Sequence, residues 1–395
     1  MILSDVCEFI VDCPHSTAPD EGKGYPLIRT PNVGKGRLDL NGVHRVSESV
    51  YKQRIQRGAP RANDLIFARE APAGNVALVQ ENQTVCLGQR TVLIRPNVQK
   101  VNPQYLVYYL LSPKPQYELL GTANGATVAH VNLPAIRNLK IELPEKPVQD
   151  KIGTILVTYD DLIENNQKQI KLLEEAAQRL YKEWFVDLHF PGHENTKIVD
   201  GVPEGWSIYP FSSKVDIMSG GTPKTSIPDY YNGKIPFYTP KDNDGAFFAY
   251  KTQMNITEGG LKNCNSRLYP PKTVIITARG TVGKTTILAV PMAMNQSCYA
   301  LKMKENDAPY YLFFALNNEI KALQTMANGG VFNTIIGKTF DSINIQIPKN
   351  PLIYGFEETV RPFMEQIKNK LQANLKLVEA RDRLLPKLMN GEVEA

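Results

Sequence analysis

The feature that most constrains this chain is an internal repeat with a constant spacing of 204 residues. The segment LKIELP at residues 139–144 matches INIQIP at residues 343–348, and 343 minus 139 is 204. The segment LEEAAQRLYKEWF at residues 173–185 matches LVEARDRLLPKLM at residues 377–389, and 377 minus 173 is again 204. Self-similarity with a fixed period indicates a duplicated structural unit, here of about 200 residues.

Shorter matches, some with small gaps, extend the repeat toward the start of each copy. They pair residues 123–139 with 327–343, residues 26–33 with 236–243, and residues 64–68 with 273–278. Both copies therefore have one order of elements: a strand-rich segment, a short helical pattern (residues 105–111 or 310–316), an alternating strand ending in Pro, and a long helix. Their β-branched residues, interrupted by Gly and Pro, favour short strands and turns. The predicted fold class is α/β (α+β), with two tandem mixed domains whose strands pair mostly antiparallel.

The long helix of each copy has an apolar seam that requires a partner. The first runs from residue 149 to 185 without Pro, and about 37 residues with a rise of about 1.5 Å give a rod of about 55 Å. Apolar residues recur in alternating steps of three and four, the period of helix-on-helix packing. With a second helix predicted from residue 355 to 389, the two are expected to form an antiparallel coiled-coil pair and an internal pseudo-twofold repeat.

The predicted seam combines apolar residues with one Asn in each helix, and the two Asn side chains are expected to set the register. Its members are Ile152, Ile155, Tyr159, Leu162, Asn166, Leu173 and Leu180 in the first helix, and Val360, Phe363, Ile367, Leu371, Asn374, Leu377 and Leu384 in the second.

Length and composition exclude several classes of protein. A chain of 395 residues has room for at least two domains with their own cores. The net charge of +5 permits nucleic-acid binding without arguing for it. Five scattered cysteines without a C-x-x-C pair favour neither a disulfide framework nor a zinc site. The sequence shows neither a signal-peptide pattern nor an apolar run of about 18 residues, so a cytoplasmic protein is expected.

Two similar but diverged globular parts joined by paired rods favour an elongated ligand that is read at two places. Double-stranded DNA is the leading candidate, because half-sites about one helical turn apart require a fixed separation. A symmetric reader would use two identical domains, whereas these copies differ. The sequence therefore predicts a bipartite, asymmetric DNA target.

Four motifs in this order resemble one known family. They are VPEGWSIYPF at residues 202–211, SGGTPKTSIPDYY at 219–231, IPFYTPKD at 235–242, and ARDRLLPKLMNGEV at 380–393. Together with the duplicated order of globule and helix, they resemble the specificity subunits of type I restriction-modification enzymes over essentially the whole chain. The first copy departs from this pattern because it lacks the PEGW and GGTP segments.

The resemblance implies a non-catalytic DNA-recognition subunit of a prokaryotic host-defence system. The implied partners are double-stranded DNA, two methyltransferase (modification) subunits and the restriction (nuclease/translocase) subunits. No cofactor is expected in this chain, and S-adenosylmethionine, ATP and Mg are expected in the partner subunits. The implied domains are a first target-recognition domain (1–145), a first spacer helix (146–187), a linker (188–205), a second target-recognition domain (206–348), and a second spacer helix with a C-terminal tail (349–395).

Candidate DNA contacts are polar and basic residues in turns between strands. Arg and Lys can read guanine and Asn or Gln can read adenine, while other Lys and Arg only hold phosphate. The alternative for each is an ordinary solvated surface residue. Gln89 and Gln296 are expected to occupy matching places, as are Arg69 and Arg279. The candidates are Lys23, Arg29, Asn32, Lys35, Arg37, Arg69, Gln89 and Arg90 in the first copy, and Lys224, Lys241, Asn243, Arg279, Lys284, Asn295 and Gln296 in the second. His130 is read as a buried or turn histidine.

Competing readings come from three short motifs. Residues 278–285 (ARGTVGKT) fit a relaxed phosphate-loop pattern and give the alternative function, a nucleotide-binding enzyme. However, TILAVP follows where a phosphate loop needs a helix. Residues 102–105 (NPQY) are close to an amino-methyltransferase motif but fit a helix start better. His189 and His193 have a metal-ligand spacing, yet they flank Pro191 and Gly192 in a linker. A purely structural coiled-coil adaptor would not explain two divergent globular parts.

Overall fold

The computed structural model describes residues 1–121, 129–326, 335 and 337–395. The part of the predicted repeat that pairs residues 123–128 with 327–332 lies outside the described residues. The chain divides into two compact units. The first unit contains residues 1–165 and 374–395, and the second contains residues 166–373.

The first unit contains two β-sheets. Its five-stranded sheet has the order β1-β8-β5-β6-β3, and its three-stranded sheet has the order β4-β2-β7. The strands are β1 (Cys7–Asp12), β2 (Tyr25–Ile28), β3 (Gly36–Arg37), β4 (Arg45–Val46), β5 (Leu65–Ala68), β6 (Val76–Leu78), β7 (Cys86–Leu87) and β8 (Thr91–Pro96). The helices are α1 (Glu48–Arg54), α2 (Pro103–Leu111), α3 (Pro113–Gly121), α4 (Leu133–Arg137) and the start of α5 (Lys146–Phe185).

The second unit has a corresponding pair of sheets, with the orders β12-β19-β16-β17-β14 and β15-β13-β18. Two further two-stranded sheets, β10-β9 and β11-β20, accompany them. The strands are β9 (Ile198–Val199), β10 (Val202–Pro203), β11 (Ser207–Pro210), β12 (Val215–Ser219), β13 (Tyr231–Tyr238), β14 (Phe248–Ala249), β15 (Asn255–Ile256), β16 (Val274–Thr277), β17 (Thr285–Leu288), β18 (Ala293–Met294), β19 (Cys298–Met303) and β20 (Asn344–Ile347). The helices are α6 (Phe211–Lys214), α7 (Glu258–Lys262), α8 (Pro309–Met326), α9 (Gly337–Asp341) and α10 (Asn350–Met389), which ends in the first unit.

The strand registers show that the two units are copies of one topology. Ala68 pairs with Thr91 in the first unit as Thr277 pairs with Cys298 in the second. The parallel pairs β2–β7 and β13–β18 also correspond. The predicted fold class and the internal repeat are therefore confirmed, and most strand pairs are antiparallel as expected.

The core of each unit lies between the five-stranded sheet and the helices. All four residues of β5, and all four of β16, are buried, which explains their continuous apolar sequences. In the first unit, Leu106 of α2 and Leu156 of α5 share one buried cluster with the strands. In the second, Phe314 of α8 and Phe356 of α10 do the same.

The two 40-residue helices α5 and α10 pack on each other within each unit. In the first unit, Ile152 near the start of α5 and Leu388 near the end of α10 belong to one buried cluster. In the second unit, Tyr181 near the end of α5 makes an edge contact with Phe356 near the start of α10, with ring centroids 5.9 Å apart. The pair is therefore antiparallel. The helices begin at Lys146 and Asn350, before the runs 149–185 and 355–389 that the apolar period indicates.

The buried stripe of the helices differs in part from the predicted seam. Ile152, Val360, Ile367 and Asn374 are buried, and Asn374 Nδ2 donates to the carbonyl of Ile163 over 3.4 Å. Leu162 does not lie in the seam, because 47% of its surface is exposed. The residues that fill the stripe of α5 instead are Leu156, Asp160, Ile170, Ala177, Tyr181 and Phe185. The other predicted members are partly buried: Ile155, Tyr159, Asn166, Leu173, Leu180, Phe363, Leu371, Leu377 and Leu384.

The strand predicted before each long helix forms in only one copy. In the second copy it is β20, which pairs with β11 over four residues. In the first copy the corresponding segment makes a single bridge, from Lys140 to Ile2. A strand needs a partner ladder, so the same alternating sequence pattern has two outcomes.

Candidate nucleic-acid interface

Four loops of the second unit meet beside the ends of three strands. Ser219 ends β12, Thr277 ends β16, and Cys298 begins β19, which lies between these two strands in the sheet. The loops that continue from these ends, together with the loop after β13, form what we call the second loop surface: residues 220–227, 239–246, 278–284 and 295–297. Direct contacts join them. The Thr222 hydroxyl donates to Gln296, Thr281 Oγ1 donates to the carbonyl of Pro240 over 3.4 Å, and Ala278 N donates to the carbonyl of Ser297 over 2.7 Å.

The second loop surface carries four of the predicted cations. Lys224, Lys241, Arg279 and Lys284 are all exposed. Within the described part of the chain, none of the four forms an ion pair. The carboxylate of Asp242, next to Lys241 in the chain, instead accepts from Thr239 and from the amide of Gln253. The same loops also contain Asp242 and Asp244, so the surface keeps a net positive charge that attracts a phosphate backbone.

The amides of this surface mostly shape the loops. Asn243 Nδ2 donates to the carbonyl of Thr285 over 3.3 Å, and Asn243 Oδ1 accepts from Gly245 N. Asn295 Oδ1 accepts from Ser297 N over 3.0 Å. Gln296 is exposed and accepts from the hydroxyl of Thr222.

The phosphate-loop reading of residues 278–285 is not supported by this geometry. The Lys-Thr pair is followed by strand β17 (Thr285–Leu288), not by a helix. Residues 278–285 therefore do not lead into a helix N-terminus, which a phosphate loop needs. The loop joins two antiparallel strands, as the sequence indicated.

The corresponding loops of the first unit are joined in a similar way. We call residues 12–16, 69–70, 88–90 and 129–131 the first loop surface. Gln89 Nε2 donates to the carbonyl of His15 over 3.2 Å, and Arg69 N donates to the carbonyl of Arg90 over 2.9 Å. The buried Arg54 of α1 also holds this surface by donating to the carbonyl of Pro14 over 3.2 Å.

Three predicted contact residues of the first copy have structural roles. Asn32 is 7% exposed. Its Oδ1 accepts from Arg29 N and its Nδ2 donates to the carbonyl of Asp39, so the side chain shapes a turn. The guanidinium of Arg69 is 11% exposed and has partners on all three nitrogens. Arg37 is paired with Asp161 of α5. Neighbouring groups of the protein bond all three side chains, and DNA contact by any of them stays a prediction.

The remaining first-copy candidates differ in their surroundings. Lys23 and Lys35 are exposed, without ion pairs in the described part of the chain, but neither lies in the first loop surface. Arg29 is half-buried, and its Nε has no hydrogen-bond partner among the described residues. Gln89 and Arg90 do lie in the first loop surface, and Arg90 pairs with Glu70.

The strand registers confirm one predicted match between the copies and correct the other. Leu87 corresponds to Met294, which aligns Gln89 with Gln296 as expected. However, Ala68 corresponds to Thr277, so Arg69 aligns with Ala278 and Glu70 aligns with Arg279. Two backbone bonds agree, since Val131 N donates to the carbonyl of Arg69 as Ile335 N donates to that of Ala278. The two arginines are therefore not equivalent.

Comparison with known proteins now assigns the family. Residues 1–175 and 203–372 match the family described as type I restriction modification DNA specificity domain, once in each copy. The chain belongs to this family.

Related specificity subunits cover most of this chain. The MjaIX specificity subunit of Methanocaldococcus jannaschii is 28% identical over 89% of this chain and 82% of its own length. The HindI specificity subunit of Haemophilus influenzae is 23% identical over 85% of this chain and 87% of its own length. The crystal structure of a type I restriction-modification S subunit from M. genitalium matches the fold with a TM-score of 0.58, at 16% identity, over 98% of this chain and 95% of that one.

The other motifs of this specificity protein have local structural roles. Asn102 caps α2 by accepting from Tyr105 N over 3.0 Å, as its helix-start reading predicted. His189 is bonded to Glu183 and His193 to the carbonyl of Phe190. Across the described ranges, no group of three potential metal-ligating side chains occurs. Among the helices that are described, none is long and apolar enough to cross a membrane.

Sequence reasoning missed the acidic partners of the first loop surface. Asp12 pairs with Arg69 and Glu70 pairs with Arg90, although 57 positions separate the first two in the chain. His130, read only as a buried or turn histidine, is partly buried and bonds both Arg69 and Glu70. The polar sequence of these loops indicated that they are exposed, but it did not indicate which side chains pair. Only the fold brings Asp12, Glu70 and His130 together.

Proposed function

We propose that this chain is the DNA-reading subunit of a type I restriction-modification complex and recognises a bipartite, asymmetric target in double-stranded DNA. Each globular copy reads one half of the target through its loop surface. The chain itself performs no catalysis. Catalysis belongs to the partner subunits.

One observation carries this proposal: a single topology occurs twice with different loop chemistry. The strand registers correspond, yet the loop residues that follow corresponding strand ends differ in charge, as Glu70 and Arg279 do. A shared scaffold with different loop side chains is how a fold supports different binding specificities. Two half-sites of different sequence follow from two different loop surfaces.

The proposed partners are two methyltransferase subunits and the restriction subunits, in a prokaryotic cytoplasm. Family membership supports this part, because the related proteins are named as specificity subunits of type I restriction enzymes. S-adenosylmethionine, ATP and Mg are proposed to bind the partner subunits. The antiparallel pair α5 and α10 is the proposed docking element for the methyltransferases, and its role in spacing the half-sites stays a prediction.

A domain exchange tests the reading function. The full chain is co-expressed with methyltransferase subunits from the same genome, and modified bases are mapped across the host chromosome. Replacement of residues 1–145 by the first domain of another family member is expected to change one half of the methylated sequence only. A change in both halves would show that the copies do not read separately.

A pull-down tests the scaffolding function. The tagged full chain is expected to retain the methyltransferase subunit and to make it sequence-selective for duplex DNA. If the chain forms no complex with that subunit and shows no sequence selectivity, the proposed function is wrong.

A further inference from the structure

Resting on the proposed function, we propose that Arg90 reads a guanine in the half-site of the first copy. A chain of side chains behind it, Glu70, His130, Arg69 and Asp12, fixes the direction of its guanidinium. Glu70 is in this proposal a positioning residue that determines specificity.

Arg90 is placed where a base-reading side chain would need to be. It lies in the turn between β7 and β8 with a φ of 63°, a left-handed conformation that holds the backbone at a tight turn. Its side chain is 63% exposed, and its Nη1 forms an ion pair with Glu70. Among the described residues, its Nε and Nη2 have no partner.

Glu70 is held from behind by a histidine whose tautomer follows from the geometry. The Glu70 side chain is 15% exposed, and its second oxygen is bonded to Nδ1 of His130. Nε2 of His130 lies 2.8 Å from Nη2 of Arg69. Because a guanidinium can only donate, Nε2 must accept, and the ring proton is on Nδ1 and points to Glu70.

Arg69 anchors the other end of this side-chain network to the fold. Its Nη1 donates to Asp12 over 2.7 Å, and its Nε donates to the carbonyl of Val131 over 2.9 Å. Asp12 is the last residue of β1, and its side chain is 12% exposed. Each group from Asp12 to Arg90 thus contacts the next, and the exposed fraction is largest at Arg90, with 63% against 36% for His130 and 11–15% for the other three.

The second copy shows that the fold does not require this network. By register, Asp12 corresponds to Ser219, Arg69 to Ala278, Glu70 to Arg279 and Arg90 to Ser297. These four residues cannot form the same network of side chains, yet the five-stranded sheets of the two copies have the same strand order. A network of charges that the scaffold does not need, and that ends in an exposed arginine, fits a role in recognition.

The chemistry favours a base over a phosphate. Glu70 compensates the charge of Arg90 and so weakens its attraction to the DNA backbone, but it leaves two directional donors free. Arg donating two bonds to O6 and N7 is the commonest specific contact to guanine in the major groove. A side chain that is already oriented loses less conformational entropy when it binds.

The test measures base preference at single positions. The full chain in complex with methyltransferase subunits is assayed on duplexes that carry each of the four base pairs at every position of the mapped target. Arg90→Gln is expected to lose about tenfold or more of its discrimination at one G·C pair of the first half-site. Glu70→Gln is expected to lose part of the discrimination at the same pair. Arg61→Gln, which removes an exposed arginine that pairs with Glu8 outside the first loop surface, is the control and is expected to keep the whole pattern.

Three results overturn the inference. They are an unchanged pattern in Arg90→Gln, a change confined to an A·T pair, and an equal loss of binding for all four base pairs, which would indicate a phosphate contact. If the unaltered complex itself shows no sequence preference, the proposed function fails and the inference fails with it. A wild-type preference that Arg90→Gln leaves intact rejects only the inference.

Discussion

The carboxylate of Asp160 on α5 is paired with the guanidinium of Arg381 on α10 inside the first unit. Asp160 is 3% exposed, and its other oxygen accepts from the hydroxyl of Tyr108 on α2 over 2.6 Å. Burial raises the pKa of the Tyr108 hydroxyl, and the neighbouring carboxylate of Asp160 raises it further. The hydroxyl therefore stays protonated and donates to Asp160. One buried carboxylate therefore joins the helix pair to the globular part of this unit.

Removal of the cation should destabilise the first unit strongly. Arg381→Ala leaves Asp160 buried without its ionic partner, a change that typically costs about 3–5 kcal/mol. The control Arg383→Ala removes an ion pair with Glu379, which is exposed on the same helix. It should lower the free energy of unfolding by less than about 0.5 kcal/mol. Both tryptophans, Trp184 and Trp206, lie in the second unit, so amide hydrogen exchange in residues 1–165 is the suitable measurement. Equal protection in the two variants would contradict the prediction.

Two helix glycines should respond oppositely to the same substitution. A Cβ on Gly153 of α5 would lie 2.9 Å from the backbone nitrogen of Tyr105, which cannot move away easily. A Cβ on Gly355 of α10 would lie 4.0 Å from its nearest neighbour, on Trp184. Alanine is favoured over glycine in a helix by about 1 kcal/mol.

Gly355→Ala should therefore stabilise the second unit by up to about 1 kcal/mol, whereas Gly153→Ala should destabilise the first. Denaturant unfolding followed by tryptophan fluorescence measures the former, and hydrogen exchange of α2 measures the latter. Stabilisation by Gly153→Ala would show that α2 yields at no cost and that the close approach is unimportant.

The pH dependence of the second unit should contain a contribution from Glu357. This residue of α10 is 4% exposed and accepts from Tyr311 N over 2.8 Å. Burial, opposed by hydrogen bonds from the backbone of Tyr311 and Tyr310, raises the pKa of its carboxyl to about 7. Because the folded state then holds a proton that the unfolded state releases, this contribution is complete at a pH below the ordinary value of 4.5 and is lost as pH rises to about 7.

Glu357→Gln keeps an acceptor for Tyr311 N but removes the ionisation. Relative to this variant, the wild-type protein should lose up to about 3 kcal/mol of stability between pH 4.5 and pH 7, as an upper bound from the linkage of pKa to folding. Other carboxyls, such as Glu174, whose pKa burial also raises to about 7, are common to both proteins and cancel. Glu358→Gln, an exposed neighbour, is the control. A stability difference that does not vary with pH would reject the prediction.

The repeat and the helix pair were predictable because they depend on local pattern. A spacing of 204 residues and a helical period can both be read directly from the order of residues along the chain. The two helices α5 and α10 are indeed both 40 residues long. Leu162 shows where the pattern fails, since the polar Asp160 takes the buried place and an apolar residue is left 47% exposed. Arg381 and the hydroxyl of Tyr108 make that burial possible, and their distance from Asp160 along the chain hides them in the sequence.

The candidate site was predictable as a set of loops but not residue by residue. Arg69 and Arg279 both looked like exposed loop cations, and Arg279 is one. Arg69 is occupied by Asp12, His130 and Val131, which come from a strand and a loop remote in sequence. The strand register, set by cross-strand pairing, aligns Arg279 with Glu70 and not with Arg69. The two copies therefore carry opposite charges at this position.

DNA binding should depend less on salt concentration when cations of the second loop surface are removed. Its cations lack ion pairs in the described ranges, so each one that contacts a phosphate should release about one counterion. On mixed-sequence duplex DNA, Lys241→Gln combined with Lys284→Gln should reduce the slope of log K against log salt by about 1–2. Lys52→Gln, an exposed lysine of α1 that pairs with Glu48 over 2.8 Å, should leave the slope unchanged. Since non-specific binding depends on phosphate contacts alone, the double variant should weaken binding to every sequence alike. A slope equal to that of the wild-type protein would show that neither Lys241 nor Lys284 contacts a phosphate.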